Sequence, residues 1–166
     1  MKEYITDAIV LDKEPKGDLD QRVFLYTQDL GKIVAKVTSG RRIISKLSGH
    51  LEPLNIVKVR LIGNGGFQLA DALKLAKLPV GRASLKIAKL IKASVLENHP
   101  DQHLWSVLKN GSELKKVLNI LGFDYFYASC SLCNKAAPGY FLFKELAYFC
   151  EQCLPSGMDS EDYLEI

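Results

Sequence analysis

All four cysteines of the chain fall into two C-x-x-C pairs, Cys130-Ser131-Leu132-Cys133 and, sixteen residues on, Cys150-Glu151-Gln152-Cys153. Two intervening residues let a chain turn tightly enough to aim two sulfurs at one point. Two such turns supply the four thiolates that fill a tetrahedral Zn²⁺ site, and this spacing is that of zinc sites. Two disulfides would require an oxidising compartment, and a redox C-x-x-C stands as one pair beside a βαβ unit. A chance cluster of free cysteines is the remaining alternative. With Cys130, Cys133, Cys150 and Cys153 all bound, one zinc ion has no open position, so its role is structural. Phe123, Tyr125, Phe126, Tyr127, Phe141, Phe143, Tyr148 and Phe149 surround the pairs. They are expected to cover a knuckle too small to build a large core.

Other chemistry is sparse. No G-x-x-x-x-G-K and no G-x-G-x-x-G loop is present. His50, His99 and His103 are dispersed, and Pro100 interrupts the two that stand four apart. Asp18 and Asp20 share a loop with no group to perturb them. Without a nucleophile–base constellation or clustered metal-binding carboxylates, the expectation is that the chain is not an enzyme.

The charge pattern says more. Net charge over 166 residues is +3, but residues 32–60 hold Lys32, Lys36, Arg41, Arg42, Lys46, Lys58 and Arg60 against Glu52 alone. A basic window of this kind points to a polyanion or to a merely solvated face. The acidic stretch Asp159, Glu161, Asp162 and Glu165 closes the chain, and it is expected to be disordered. No secretory leader and no membrane-length apolar run is visible, so a cytoplasmic protein without membrane contact is expected.

These residues must be positioned by two kinds of element. Alternating apolar residues predict strands over 4–12, 22–28, 32–38, 55–62 and 67–73, with hairpin signals at Asp29-Leu30-Gly31 and Gly63-Asn64-Gly65-Gly66. Lys13 to Asp18 reads as a loop. Five short strands in about 75 residues suit a small closed barrel, of which the oligonucleotide-binding (OB) fold is the five-stranded case. Its strand faces and loops form a groove that follows a phosphate backbone. Phe24 and Tyr26 share a face with Arg22, as core residues first and stacking platforms second. After Pro79 the period becomes helical: Ile87, Leu90, Ile91 and Val95, with Arg82, Lys86 and Lys89 on another, basic face. Asp101 opens a second helix that stops at Asn110-Gly111, and Ser112 is placed to cap a third that ends at Gly122. The fold class is therefore α+β in two parts. An OB-type barrel spans 1–79, and a small helical region with the four-cysteine knuckle at 130–153 and the acidic tail spans 80–166.

The run Gly17-Asp18-Leu19-Asp20-Gln21-Arg22-Val23-Phe24-Leu25-Tyr26-Thr27, then Leu30-Gly31-Lys32, Gly40-Arg41-Arg42 and Leu51-Glu52-Pro53-Leu54 resembles the N-terminal barrel of the RecO recombination-mediator family. Leu121-Gly122-Phe123 followed by the cysteine pairs is similar to that family's helical and zinc regions. The resemblance implies a DNA repair protein that binds single- and double-stranded DNA, anneals strands and promotes RecA loading. It also implies RecR and single-strand binding protein as partners. Its DNA contacts would be Lys32, Lys36, Arg41, Arg42, Lys46, Lys58 and Arg60. The region from Pro79 to Ser112 is short for the family, so a shortened member is expected. The rival reading is a zinc-containing protein-interaction adaptor that does not touch nucleic acid.

Overall fold

The structure, a computed structural model, describes residues 2–38, 47–63, 65–111 and 113–166. They form two compact units, 1–111 and 112–166. In the first unit five strands run β1 (Lys2–Lys16), β2 (Asp20–Thr27), β3 (Gly31–Val37), β4 (Asn55–Gly63) and β5 (Phe67–Lys77). They close into a barrel in the order β1-β2-β3-β5-β4, β4 returning to β1. All pairings are antiparallel except β3 with β5. Closure depends on the length of β1. Its first half pairs with β4 and its second half with β2, across a register shift between Val10 and Asp12. A bulge of this kind bends a strand enough to serve two neighbours. The expected 13–18 loop is instead mostly strand: Pro15 sits opposite Gln21 near the hairpin end, where its missing N–H is tolerated.

Period-two patterning places Ala8, Val10, Val23, Leu25, Ile33, Ala35, Val57, Val59, Leu61 and Leu69 inside the barrel. Tyr4 and Phe67 meet edge to face at one end, with centroids 5.8 Å apart. Ile5, opposite Arg60 on the outer face, is 64% exposed.

Helices α1 (Arg82–Ser94) and α2 (Gln102–Lys109) belong to the same unit as the barrel. The Asp101 carboxylate caps α2 as expected, accepting from the N–H groups of His103 and Leu104. Both helices clasp the β2–β3 hairpin. Asn98 N–H donates to the Lys32 carbonyl at 2.9 Å. Gln102 Nε2 donates to the Gln28 carbonyl at 2.9 Å, and Tyr26 Oη to the Asp101 carbonyl at 3.3 Å. Gly31, at φ +70°, lies so close to His99 that a Cβ would overlap its carbonyl. Glycine there answers both the left-handed backbone and the close approach. The expected basic stripe on α1 does not form, because Lys86 is buried.

The second unit holds α3 (Leu114–Ile120), a 3-10 turn at Tyr125–Tyr127, and a small sheet. The sheet is β6 (Tyr140–Leu142) between β7 (Ala147–Phe149) and β8 (Tyr163–Glu165). The acidic stretch is thus not disordered. Leu164 is 1% exposed, and β8 pairs with β6 along its three residues. One buried leucine and a strand ladder outweigh the four acids, of which Asp159 and Glu165 are exposed and Glu161 and Asp162 half-buried. Ser112, the expected cap, and Asn64 lie outside the described residues.

Candidate metal centre and nucleic-acid interface

The two C-x-x-C turns meet through backbone contacts. Ser131 N–H donates to the Tyr148 carbonyl at 2.9 Å, which joins the first turn to β7 just before Cys150. Asn134 N–H returns to the Cys130 carbonyl at 2.9 Å, with Asn134 in the left-handed region at φ +59°. Cys153 N–H returns to the Cys150 carbonyl at 3.0 Å. The result brings all four sulfurs within 4.8 Å of one another. Cys133 Sγ and Cys150 Sγ are 3.7 Å apart. A regular tetrahedron of Zn–S bonds near 2.3 Å has edges of about 3.8 Å, whereas a disulfide spans about 2.05 Å. The donor set fits a structural zinc ion.

The electrostatics agree. The backbone N–H of Cys133, with those of Cys150 and Leu132, draws the Cys130 thiol down to about 6 against the cost of burial. Hydrogen bonding to the sulfurs of Cys150, Cys133 and Cys130, together with burial, pushes Cys153 up to about 12. The cluster thus favours the thiolate of Cys130 and resists that of Cys153. A dication removes that resistance. Packing around it is aromatic: Phe141 stacks with Tyr148 at 4.9 Å and Phe123 at 5.0 Å. Tyr148 Oη donates to the Phe123 carbonyl at 2.8 Å. Not every ring joins this cover: Phe126 and Tyr127 are 87% and 89% exposed.

Of the basic window, the four cations among the described residues do not share one surface. Lys32 is buried, its ammonium donating to the Lys92 carbonyl at 2.8 Å. Burial lowers its pKa; the Glu97 carboxylate opposes that in part, and the neighbouring Lys92 adds a smaller lowering. Lys36 stands on β3 with Asp20 at 2.9 Å. Lys58 and Arg60 lie on β4, on the other side of β5, paired with Asp7 at 2.9 Å and Glu3 at 3.3 Å. Arg41, Arg42 and Lys46 lie outside the described residues. Phe24 and Tyr26 face the clasp, not the barrel interior. The Lys92 ammonium sits 4.0 Å over the Phe24 ring, and Tyr26 is fully buried. Lys92 also binds Asp12 at 2.7 Å and Glu14 at 2.6 Å. Burial opposes its charge, but these two hydrogen bonds outweigh that and raise its pKa.

What the barrel does assemble is a row that strand patterning alone did not reveal. Cross-strand pairing sets Glu14, Arg22, Lys36, Gln68 and Ile62 side by side on the outer surface. There a cleft of about 380 Å³ is lined by Lys16, Arg22, Val34, Lys36 and Gln68, with Gly66 and Phe67 at its rim. The turn at 17–19 follows Lys16, and the bend at 65–66 supplies Gly66. Arg22 pairs with Glu14 at 3.3 Å. Exposed ion pairs of this kind are worth only about 0–1 kcal/mol, so a phosphate competes readily with the carboxylate. Lys16 and Arg22 were absent from the expected contact set. Only the register of a β1 that runs to residue 16 brings them beside Lys36.

Residues 1–78 match the family model described as Recombination protein O N terminal. Among curated proteins, the chain is 27% identical over 118 residues to a DNA repair protein RecO of Syntrophobacter fumaroxidans, covering 66% of this chain and 47% of that protein. It is 24% identical over 193 residues to the DNA repair protein RecO of Thermodesulfovibrio yellowstonii, covering 98% of this chain and 75% of that protein. A third such protein, from Dehalococcoides mccartyi, is 42% identical over 59 residues, which is 36% of this chain and 23% of that protein. The chain spans about half the length of the first of these relatives.

Proposed function

Taking residues 1–78 as a recombination protein O N-terminal domain, we propose that the chain is a DNA-binding protein of recombinational repair whose barrel is an OB-type module. The observation that carries this reading is the cleft on the β2–β3–β5 face. Strands 2 and 3 and the two turns beside them are where OB barrels bind oligonucleotides, and here those positions carry Lys16, Arg22 and Lys36. Arg22 offers a planar fork to a phosphate, and the two lysines act as point charges. Arg41, Arg42 and Lys46 are assigned to DNA as well, with Lys58 and Arg60 as a separate pair on β4. Lys32 belongs to the clasp and is left out.

Contacts to phosphates read shape and charge more than sequence, so the protein accepts single and double strands. Screening the repulsion between two strands is what annealing requires, and annealing and RecA loading are the roles we assign, with RecR and single-strand binding protein as partners. One zinc ion held by Cys130, Cys133, Cys150 and Cys153 supplies structure. Among the described residues no helix is long and apolar enough to cross a membrane.

Fluorescence anisotropy of labelled single- and double-stranded oligonucleotides between about 50 and about 200 mM salt tests the reading, because counterion release makes phosphate binding fall steeply over that range. Binding that is absent at the lower salt sinks it and favours the adaptor reading.

A further inference from the structure

We propose that the exposed pair Phe126 and Tyr127, carried on the cysteine unit, is a stacking platform for the bases of single-stranded nucleic acid. The proposal rests on the nucleic-acid reading above and adds to it a second contact on a different unit, one with a preference between single and double strands.

The other aromatic side chains of the second unit are buried, as Phe141, Phe143, Tyr148 and Phe149 are, or half-buried, as Phe123, Tyr125, Tyr140 and Tyr163 are. Phe141 is 0% exposed, and Tyr148 and Phe149 are each 7%. Phe126 and Tyr127, three residues before the first metal ligand, are instead turned almost wholly to solvent. Two adjacent large rings in that state are uncommon on a surface with no binding role. Nor are they loosely held. The Asp124 carboxylate accepts from Phe126 N–H at 2.9 Å, and Ala128 N–H closes the 3-10 turn onto the Tyr125 carbonyl at 3.1 Å. The Tyr125 ring meets that of Phe126 at 6.3 Å and that of Tyr148 at 6.3 Å. The platform is therefore mounted on the same aromatic cluster that packs around the metal centre.

The charge beside it selects the occupant. The Lys115 ammonium lies 4.9 Å from the Tyr125 ring centroid, Lys116 follows on the exposed side of α3, and the nearby Asp124 carboxylate accepts from the Phe126 N–H. Flat apolar rings bordered by ammonium groups match a ligand that alternates flat bases with phosphates. Stacking on an aromatic ring is open to every unpaired base and closed to bases inside a duplex.

The test compares three forms of the full chain: wild type, F126A/Y127A and R22A/K36A. Each is titrated into labelled oligo-dT and into a duplex at two salt concentrations, after confirming that zinc content and melting match the wild type. The expected result is a loss of roughly tenfold or more in oligo-dT affinity for F126A/Y127A, with its salt slope and duplex affinity unchanged. F126W should restore affinity, and the new indole fluorescence should be quenched by oligo-dT. If wild type binds oligo-dT and F126A/Y127A binds it equally well, the platform is refuted and the rings serve a protein contact. If R22A/K36A leaves affinity and salt slope intact while F126A/Y127A loses affinity, the barrel assignment falls and the platform stands. If wild type binds neither DNA, both fall.

Discussion

The barrel and the cysteine unit solve the same problem, holding a single fold, with different means. In the barrel, thirteen buried side chains fill the interior and every strand is paired on both edges. In residues 112–166 the strands are three residues long and the one sheet has open edges on β7 and β8. Its apolar cover is a handful of rings and Leu142, Leu164, Val117 and Leu118. A unit of that size buries too little surface to be secure by itself. The difference teaches where function can be altered safely. The barrel tolerates a cleft of charged residues on its wall because its interior is independent of them. The cysteine unit depends on four side chains whose loss no neighbour replaces.

The largest test of that contrast is removal of the metal. Cys130→Ser, or a strong chelator, should abolish the fold of 112–166 and leave the barrel intact. Structural zinc contributes about 10–16 kcal/mol in small zinc domains. Amide and methyl spectra should lose Phe141 and Leu164 dispersion while Val23 and Leu25 signals persist. A cysteine variant that keeps both would end the zinc assignment. Next in size, Leu25→Ala in the barrel should cost about 2–5 kcal/mol, as buried leucines do, yet release no zinc. Coupled loss of metal in that variant would show that the two units are not separately stabilised.

Smaller effects are expected from the wall. R22A/K36A removes two of the proposed phosphate contacts and should reduce the single-strand salt slope by about 1.4, at about 0.7 per phosphate. Melting should change little, since both side chains are exposed and their ion pairs are weak. An unchanged slope would move the interface elsewhere, Lys58 and Arg60 being the first place to look.

Smallest is a pH effect that each unit carries separately. Burial pushes Tyr26 in the barrel and Tyr148 in the cysteine unit up to about 12, from 10.0. The neutral phenol is the form the fold favours, so this stabilisation is complete below about pH 10 and is lost as pH rises towards 12. Tyr26→Phe should flatten the alkaline loss in the barrel, and Tyr148→Phe that in the cysteine unit. If neither change alters denaturation midpoints between about pH 9 and about pH 11.5, burial of these phenols is not what holds them neutral.

How much could be read from the sequence follows the range of the interaction. The two C-x-x-C pairs, the Asp101 cap and the inward positions of β2 and β3 are local patterns, and the structure places them together as expected. Lys16 and Arg22 were missed because their meeting with Lys36 depends on a hairpin register three strands wide. Pro15 and Gly17 obscured it by reading as a loop. Lys32 alternated correctly as an outward residue, whereas Tyr26 was read as barrel core first and is buried on the outer face instead; nothing local announces that a later segment covers that face. Leu164 was lost in a run of acids, since one apolar residue carries no period. Phe126 and Tyr127 were expected to help cover the knuckle because aromatic composition suggests packing, and composition cannot distinguish a packed ring from a displayed one.

The clasp around the β2–β3 hairpin ties the timescale of two helices to that of the barrel. Asn98 lies in an irregular stretch between α1 and α2, where an amide would ordinarily exchange with solvent in local fluctuations. Its donor is fixed to Lys32 in the barrel wall, and Gly31 leaves no gap for the stretch to slide in. Asn98 is therefore expected to exchange deuterium as slowly as the strand amides of β3, so that residues 82–109 and the five strands open and close as one cooperative body.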